Sequence, residues 1–351
     1  MERLSIIGDY FDCQLYGGRL YLWTFNGSLQ VYSYTAIIRE WVKMHQEGLG
    51  FRCHPYENGA SEISIRPDIL RRFLLYERDY LAKEFPTGTE ILSGELYESN
   101  AKGLFTCKVP MFTRDFEESP VVKLSDTPFV FINGAKRRGL VCSAGSDGLF
   151  WYHPLTDKRD LAQISNQQTI RANFCAPGIY AQSSVGESYL LLKDDGQYES
   201  IIKETDLYPR VVGPRMTWCW QNNFYSAEDH KLKVYEFVAP DQPMLQRGEI
   251  KFFYWKGDFV SAGSCQCGTV VELDTAICLF EDWNTDDGHS TIMGPVTRCR
   301  MYPRSKEFPS HVHIIFDDRL DIVVMNDDVV RWKEMRQGRG YVEQNRPLQW
   351  K

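Results

Sequence analysis

Residues 19–34 read Arg-Leu-Tyr-Leu-Trp-Thr-Phe-Asn-Gly-Ser-Leu-Gln-Val-Tyr-Ser-Tyr, two alternating runs on either side of Asn26-Gly27. Such alternation has the period of a strand with two unlike faces. Asn-Gly is the strongest short signal for a tight hairpin, because both turn residues then take positive φ. Six further segments follow the same plan. They are 95–109 around Lys102-Gly103, 139–154 around Asp147-Gly148, 178–193 around Gly186, 223–237 around Asp229-His230, 258–274 around Gly268, and 311–326 around Asp317-Asp318.

After the second hairpin the turns stand roughly 38–50 residues apart, the length of one four-stranded propeller blade, while the first interval is about 76. The fold expected from this spacing is all-β, a single seven-bladed β-propeller over residues 1–330 with an insertion at 35–86 after the first blade. A lone blade exposes both faces of its sheet, and stacking seven of them covers those faces. The recurring pattern, a small residue followed by Leu-Tyr, then Gly-x-Leu-x-x-Tyr, resembles blades of the WD40-like and quinoprotein-like propeller superfamily. Without the Gly-His and Trp-Asp signatures of a WD40 repeat at set positions, the resemblance implies a fold, seven-fold closure and a habit of binding proteins. It supplies no functional residue.

Composition agrees with this reading. Apolar residues make up 43% of the 351 and aromatic ones 14%, and Tyr, Phe and Trp favour strands. The formal net charge of −7 argues against general nucleic-acid binding, which draws its affinity from Lys and Arg on phosphates. The charge is uneven, for residues 331–351 carry +4 and the remainder −11. Ten cysteines, mostly single within apolar runs (Cys107, Cys142, Cys175 and Cys278), read as buried free thiols rather than a disulfide framework. No secretory leader and no stretch approaching ~18 uninterrupted apolar residues is present, so the expectation is a soluble, cytoplasmic protein with no membrane partner.

Within the insertion, residues 35–47 read as a short helix ending at Gly48. A second helix is expected from Pro67 to Pro86, with Ile69, Leu70, Phe73, Leu74, Tyr80 and Leu81 at three- and four-residue spacing. Trp41, Arg72, Tyr76 and Tyr80 are its candidate partner-binding residues. The tail is rich in Arg, Trp and Tyr, the residues that dominate interface hot spots, and adds Arg331, Trp332, Arg336, Arg339, Tyr341 and Trp350. Its early part is expected to pair with the N-terminal strand and so remove two free edges.

Sites of chemistry are sparse. Asp282-Trp-Asn284-Thr-Asp286-Asp287-Gly288 resembles a calcium loop, but its glycine falls one place late and Met293 replaces the bidentate Glu. His311-x-His313 and Cys265-x-Cys267 would each put two ligands on one strand face, and zinc would need the two pairs brought together. Lys136-Arg137-Arg138 and the run Arg298, Arg300, Arg304, Lys306 read as loop charges. No nucleophile elbow, metalloprotease helix or phosphate loop occurs, so no catalytic residue, metal or cofactor is assigned. The function expected is a non-enzymatic scaffold or regulatory subunit that binds proteins in a multiprotein assembly. The alternatives are an enzyme or ligand binder using a central channel, and a nucleic-acid-associated subunit acting through the basic tail.

Overall fold

The computed structural model describes residues 2–325 apart from 47–61, 110–118, 136–137, 154–160, 176–177, 184–185, 195–198, 207–214, 222, 229–230, 237–244, 252–257, 266, 281–288, 303–304 and 306–307. Strands dominate. β1 (Glu2–Ile7), β2 (Tyr10–Tyr16), β3 (Arg19–Thr24) and β4 (Ser28–Ser33) lead into the helix α1 (Tyr34–Gln46). Then come β5 (Glu62–Ile65), the short helix α2 (Pro67–Leu70), a 3-10 turn (Arg71–Phe73) and β6 (Leu74–Asp79).

Twenty of the remaining strands fall into five successive groups of four. The first holds β7 (Gly88–Leu92), β8 (Glu95–Asn100), β9 (Gly103–Lys108) and β10 (Val122–Ser125). The second holds β11 (Phe131–Ala135), β12 (Gly139–Ser143), β13 (Leu149–Tyr152) and β14 (Leu161–Ser165). The third holds β15 (Arg171–Cys175), β16 (Gly178–Ser183), β17 (Gly186–Asp194) and β18 (Glu199–Asp206). The fourth holds β19 (Arg215–Trp220), β20 (Asn223–Glu228), β21 (Lys231–Glu236) and β22 (Leu245–Lys251). The fifth holds β23 (Phe259–Cys265), β24 (Gly268–Leu273), β25 (Ala276–Phe280) and β26 (His289–Met293). Last are β27 (Arg298–Met301), β28 (His311–Ile315) and β29 (Arg319–Val324).

All seven expected hairpins form, but the count of four-stranded sheets is six rather than seven. These are the five groups above and β2-β3-β4-β6. The seventh hairpin, β28–β29, lies instead in a five-stranded mixed sheet of order β27-β28-β29-β1-β5. There β1 runs antiparallel to β29, from Glu2 opposite Val324 to Ile7 opposite Arg319, and parallel to β5. The edge of β1 is thus covered by β29, whereas the expectation had assigned that pairing to the tail beyond residue 330, which lies outside the described residues.

The segment after α1 also departs from expectation. Residues 35–46 are helical as expected, but the second helix stops after the 3-10 turn and the chain continues as β6. Leu75, Glu77 and Asp79 are exposed along β6 while Tyr76 and Arg78 turn inward, the period of a strand. Phe73-Leu74-Leu75-Tyr76 is a short apolar run that suits either state, and a free edge on β4 decides it. Residues 35–86 therefore supply strands to two sheets and are no separate helical hairpin.

The chain divides into two compact units. Unit 2 comprises Tyr21–Val31 and Leu75–Gly248. Here period-2 alternation explains why β12 is buried along its whole length. Leu140 and Cys142 pack with Tyr97 and Leu104 of the preceding sheet, while Val141 packs with Ala172 and Ile179 of the next. Each such side chain, once fully buried, stabilises by about 1.5–3 kcal/mol. Turn glycines serve the same stacking of strands. Gly103 and Gly148 have φ of +124° and +90°, and an added Cβ would lie 1.9 Å from the Ser125 carbonyl oxygen and 2.2 Å from that of Ser165. Asn26 does not share the positive φ of Gly27 (+96°); its side chain instead accepts the Ser28 N–H at 3.3 Å. A buried carboxylate ties the loop after β6 into this unit, for Glu98 accepts the Trp23 indole N–H and the Leu81 N–H, both at 2.7 Å.

Unit 1 comprises Met1–Leu20, Tyr32–Leu74 and Glu249–Lys351. Its core joins Cys267, Val270 and Leu279 to Val312, Ile314 and Val323. The other face of β28 carries His311 and His313. Asp321 is fully buried on β29 and is held by the Ser5 hydroxyl at 2.6 Å, Arg319 at 3.1 Å and Arg3 at 3.6 Å. All nine described cysteines are free thiols and eight are buried, as expected; Cys53 lies outside the described residues.

Candidate functional site

The candidate residues of the 35–86 segment separate on burial. Arg72 is exposed on the 3-10 turn and Tyr76 is half-buried. Trp41 and Tyr80 are buried, 3% and 5% exposed, so they are framework and not contact residues. Tyr80 donates its hydroxyl to the Thr24 carbonyl and its N–H to the Gly27 carbonyl, stapling the loop after β6 to the β3–β4 turn. Arg331, Trp332, Arg336, Arg339, Tyr341 and Trp350 lie outside the described residues.

Unit 2 presents an apolar ridge that no sequence pattern had marked. Phe25 and Phe85 are 48% and 51% exposed, and their rings stand 5.8 Å apart over Tyr80. Two residues past Phe85, the Thr87 hydroxyl donates to the Phe129 carbonyl at 2.6 Å. The next residue, Val130, is 51% exposed. Phe131 follows, with the Arg171 guanidinium 5.0 Å above its ring, and beside Arg171 is Ile170, 47% exposed. Register puts all of them at one end of their sheets. Gly88 pairs with Ser99, Phe131 with Ser143 and Arg171 with Gln182, each at the hairpin-turn end of the second strand. Paired hydrogen bonds between Gly145 and Thr169, at 2.9 and 3.0 Å, lock two of these ends together. Exposed apolar side chains scattered singly need no explanation, but these recur at the same end of successive sheets.

Unit 1 holds a second constellation, buried and polar. The Tyr34 hydroxyl lies 2.6 Å from His311 Nδ1 and 2.9 Å from His313 Nε2. The opposite nitrogen of His313 is 3.1 Å from the Tyr302 hydroxyl, which is 3.3 Å from Cys13 Sγ. Beside Cys13, the buried Asp12 accepts Arg300 through both carboxylate oxygens, at 2.8 and 3.0 Å, and Arg298 at 2.6 Å. Two directions of donation satisfy this chain, Cys13 to Tyr302 to His313 to Tyr34 to His311, or the reverse.

Burial governs the protonation of every member. It lowers His311 to about 4 and, with His311 adding to the effect, holds His313 well below the usual histidine range. Burial, then the neighbouring Asp12 carboxylate, pushes the Cys13 thiol up to about 12. Tyr34 and Tyr302 are likewise raised, chiefly by burial. Burial opposes the charge of Arg300, but Asp12 overrides it and keeps the guanidinium more firmly protonated than usual. At neutral pH the relay is uncharged and offers neither a thiolate nor a half-protonated imidazole. Its work is to fix Tyr34, the first residue of α1, against β28.

Several expected pairings resolve here. Cys265 and Cys267 belong to the core on the Val312 and Ile314 face of β28, so the imidazole and thiol pairs point to opposite faces and make no joint site. Among the described residues no group of three metal-ligating side chains occurs; the acidic 282–288 loop lies outside them. Arg298 and Arg300 are not free loop charges but partners of Asp12, and Arg138 donates to the Cys175 carbonyl.

No family model matches the chain, and no curated protein matches it in sequence. Solved structures match in fold. The β-propeller domain of Cps50 (Swd1) from Myceliophteria thermophila superimposes with a TM-score of 0.58 at 7% identity, covering 91% of this chain and 98% of that one. The N-terminal domain of Nup159 gives 0.53 at 8%, covering 91% and 90%, and the computationally designed Ika8 protein 0.52 at 10%, covering 92% and 99%. With sheets of four antiparallel strands in succession, the chain has an all-β propeller fold.

Proposed function

We propose that this protein is a non-catalytic scaffold or regulatory subunit that holds other proteins in an assembly. The observation that carries the reading is the ridge from Phe25 and Phe85 to Val130 and Ile170. Side chains half-exposed on a rigid sheet end lose little conformational freedom on binding and bury apolar area when covered. The propeller fold agrees with it, since stacked sheets offer several stiff surfaces at once. Arg72 and Tyr76, together with the basic tail and its Arg331, Trp332, Arg336, Arg339, Tyr341 and Trp350, are proposed as further contacts. Free buried thiols suit a reducing compartment, which supports a cytoplasmic setting. Among the described residues no helix is long and apolar enough to cross a membrane.

The test is quantitative capture of partners by the full chain and by a Phe25→Ser, Val130→Asp double variant. Both substitutions are at exposed positions and should leave folding within about 0.5 kcal/mol of wild type. Stoichiometric recovery of a protein by the wild type and its loss with the double variant supports the reading. Equal recovery by both moves the binding surface elsewhere.

A further inference from the structure

The dipeptide Asn26-Gly27 recurs at Asn133-Gly134, and the fold holds the two copies in opposite ways; Asn58-Gly59 lies outside the described residues. Asn26 is exposed in the β3–β4 turn. Its side-chain carbonyl accepts the Ser28 N–H at 3.3 Å, so Cγ folds over the intervening peptide and lies beside the Gly27 nitrogen. The Thr24 hydroxyl and the Ser28 hydroxyl, the latter at 3.1 Å, donate to the same oxygen. Each hydroxyl has one proton and a second acceptor, the Ser28 carbonyl at 2.9 Å for Thr24 and the Glu77 carboxyl at 3.1 Å for Ser28. Gly27 has no Cβ to shield its nitrogen, and open space where one would stand. Its N–H bonds the Thr24 carbonyl at 3.2 Å. Asn133 lies inside β11 instead, where a side chain stands away from its own main chain. Its Oδ1 reaches the Phe174 N–H of the next sheet at 3.5 Å. Gly134 is buried, and its N–H donates to the Glu90 carboxyl at 3.0 Å.

We infer that Asn26 is a modification site, where the Gly27 nitrogen displaces the side-chain amide and spontaneous deamidation converts the turn to aspartate and isoaspartate. Asparagine is chemically the weak point of such a turn. The Gly27 N–H gives its proton to solvent base and its lone pair attacks Cγ. The N–Cγ bond forms, the Cγ–Nδ2 bond breaks, and Nδ2 takes up a proton and leaves as ammonia. Charge developing on Oδ1 during the attack meets the donors from Thr24 and Ser28, as in an oxyanion hole. Water then opens the five-membered imide at either carbonyl. Opening between Cγ and the nitrogen leaves aspartate. Opening at the main-chain carbonyl leaves isoaspartate, whose main chain runs through Cγ and is longer by a methylene. Neither step is a redox step. The Tyr80 N–H donates to the Gly27 carbonyl at 3.2 Å, so the longer main chain loosens the loop that leads to Phe85. At Asn133, ring closure would require the strand to leave its pleat and the Gly134 nitrogen to face the Glu90 oxygen without its proton, so the same dipeptide is spared.

The experiment ages the full chain at neutral pH, folded and in parallel unfolded in urea. Peptide mapping by mass spectrometry follows both dipeptides, with chromatography separating aspartate from isoaspartate products. Unfolded, the two should convert at similar rates. Folded, Asn26 should convert at least about tenfold faster than Asn133. Thr24→Val removes one donor to Oδ1 and should slow the conversion about two- to tenfold, with circular dichroism confirming the fold. The comparison of folded with unfolded wild type needs no variant, so it stands even where Thr24→Val misfolds. In the purified isoaspartyl chain, amide exchange at Tyr80 should quicken at least about tenfold. Asn26→Asp adds the charge without the methylene and should keep Tyr80 protected. Folded Asn133 converting as fast as Asn26 overturns the inference, as does a folded Asn26 that stays intact while the unfolded one converts. A folded Thr24→Val that converts at the wild-type rate overturns the part assigned to the hydroxyl, and unchanged Tyr80 exchange in the isoaspartyl chain overturns the loosening of the loop.

Discussion

The Tyr34 hydroxyl lies 2.6 Å from Nδ1 of His311, joining the first residue of α1 to a strand that begins 277 positions later in the chain. Burial keeps both imidazoles neutral, and their protonation therefore couples stability to pH. His311 has a folded pKa of about 4 against about 6.5 when unfolded, so between those values the unfolded chain binds more protons. The stabilisation is complete above about pH 6.5 and is lost as pH falls towards 4, about 3 kcal/mol in all, with His313 acting in the same direction. Urea midpoints measured from about pH 7 to pH 4.5 should fall steadily, and more shallowly for His311→Gln. Identical slopes for the two proteins would refute the assignment, since all other groups are common to both.

Tyr34→Phe keeps the ring and removes the oxygen shared by two imidazoles. Two buried ring nitrogens then lose a partner, at a cost of about 2 kcal/mol or more. The loss should show first in α1, as faster amide exchange over residues 34–46 than in β12, which is in the other unit. Uniform exchange across both would place the cost elsewhere.

Glu98→Ala deletes the acceptor of both the Trp23 indole and the Leu81 N–H. Leaving two buried donors unpaired predicts a loss of about 2–5 kcal/mol in chemical denaturation. Glu98→Gln keeps one acceptor oxygen and should fall between the two. A Glu98→Ala protein as stable as wild type would show that water replaces the carboxylate.

Gly148→Ala and Gly145→Ala lie in the same turn and separate two effects. Gly145 has φ +61° with open space around it, so alanine there should cost only about 1 kcal/mol of backbone preference. At Gly148 the Ser165 carbonyl occupies the place of the new methyl, and the cost should exceed about 2 kcal/mol. Equal thermal shifts would mean that β14 yields freely.

Thiol titration at about pH 8 should find the eight buried thiols among the described residues nearly unreactive in the native protein, as burial raises Cys13 to about 12 and Cys107 to about 11. After unfolding without reductant the nine described thiols should all react. A shortfall there would reveal a disulfide.

What sequence reading recovers here is local. A short glycine or polar turn between two alternating runs settles each hairpin from within about fifteen residues, and so all seven hairpins are legible. The five-stranded sheet is not, because pairing β1 with both β29 and β5 depends on partners far away in the chain. The helix expected over residues 67–86 fails for the same reason. Ile69, Leu70, Phe73 and Leu74 have helical spacing, and only the waiting edge of β4 makes Leu74–Asp79 a strand. Trp41 and Tyr80 illustrate a second limit, since an aromatic in a loop-rich segment looks the same whether it faces solvent or a backbone carbonyl. The ridge left its only trace in position: Val130 and Ile170 each precede the first strand of a sheet, one repeat apart.

The pairing of β1 with β29 has a consequence for synthesis. Ser5 finds Asp321 only after nearly every other described strand has been made, so β1 must wait for β29. The four-stranded groups can fold as they appear, each on its own short contour, while β1 has only the parallel β5 beside it and keeps its other edge open to foreign strands. The risk of wrong pairing therefore concentrates on that edge of β1, and deleting Glu2–Ile7 would leave the corresponding edge of β29 open.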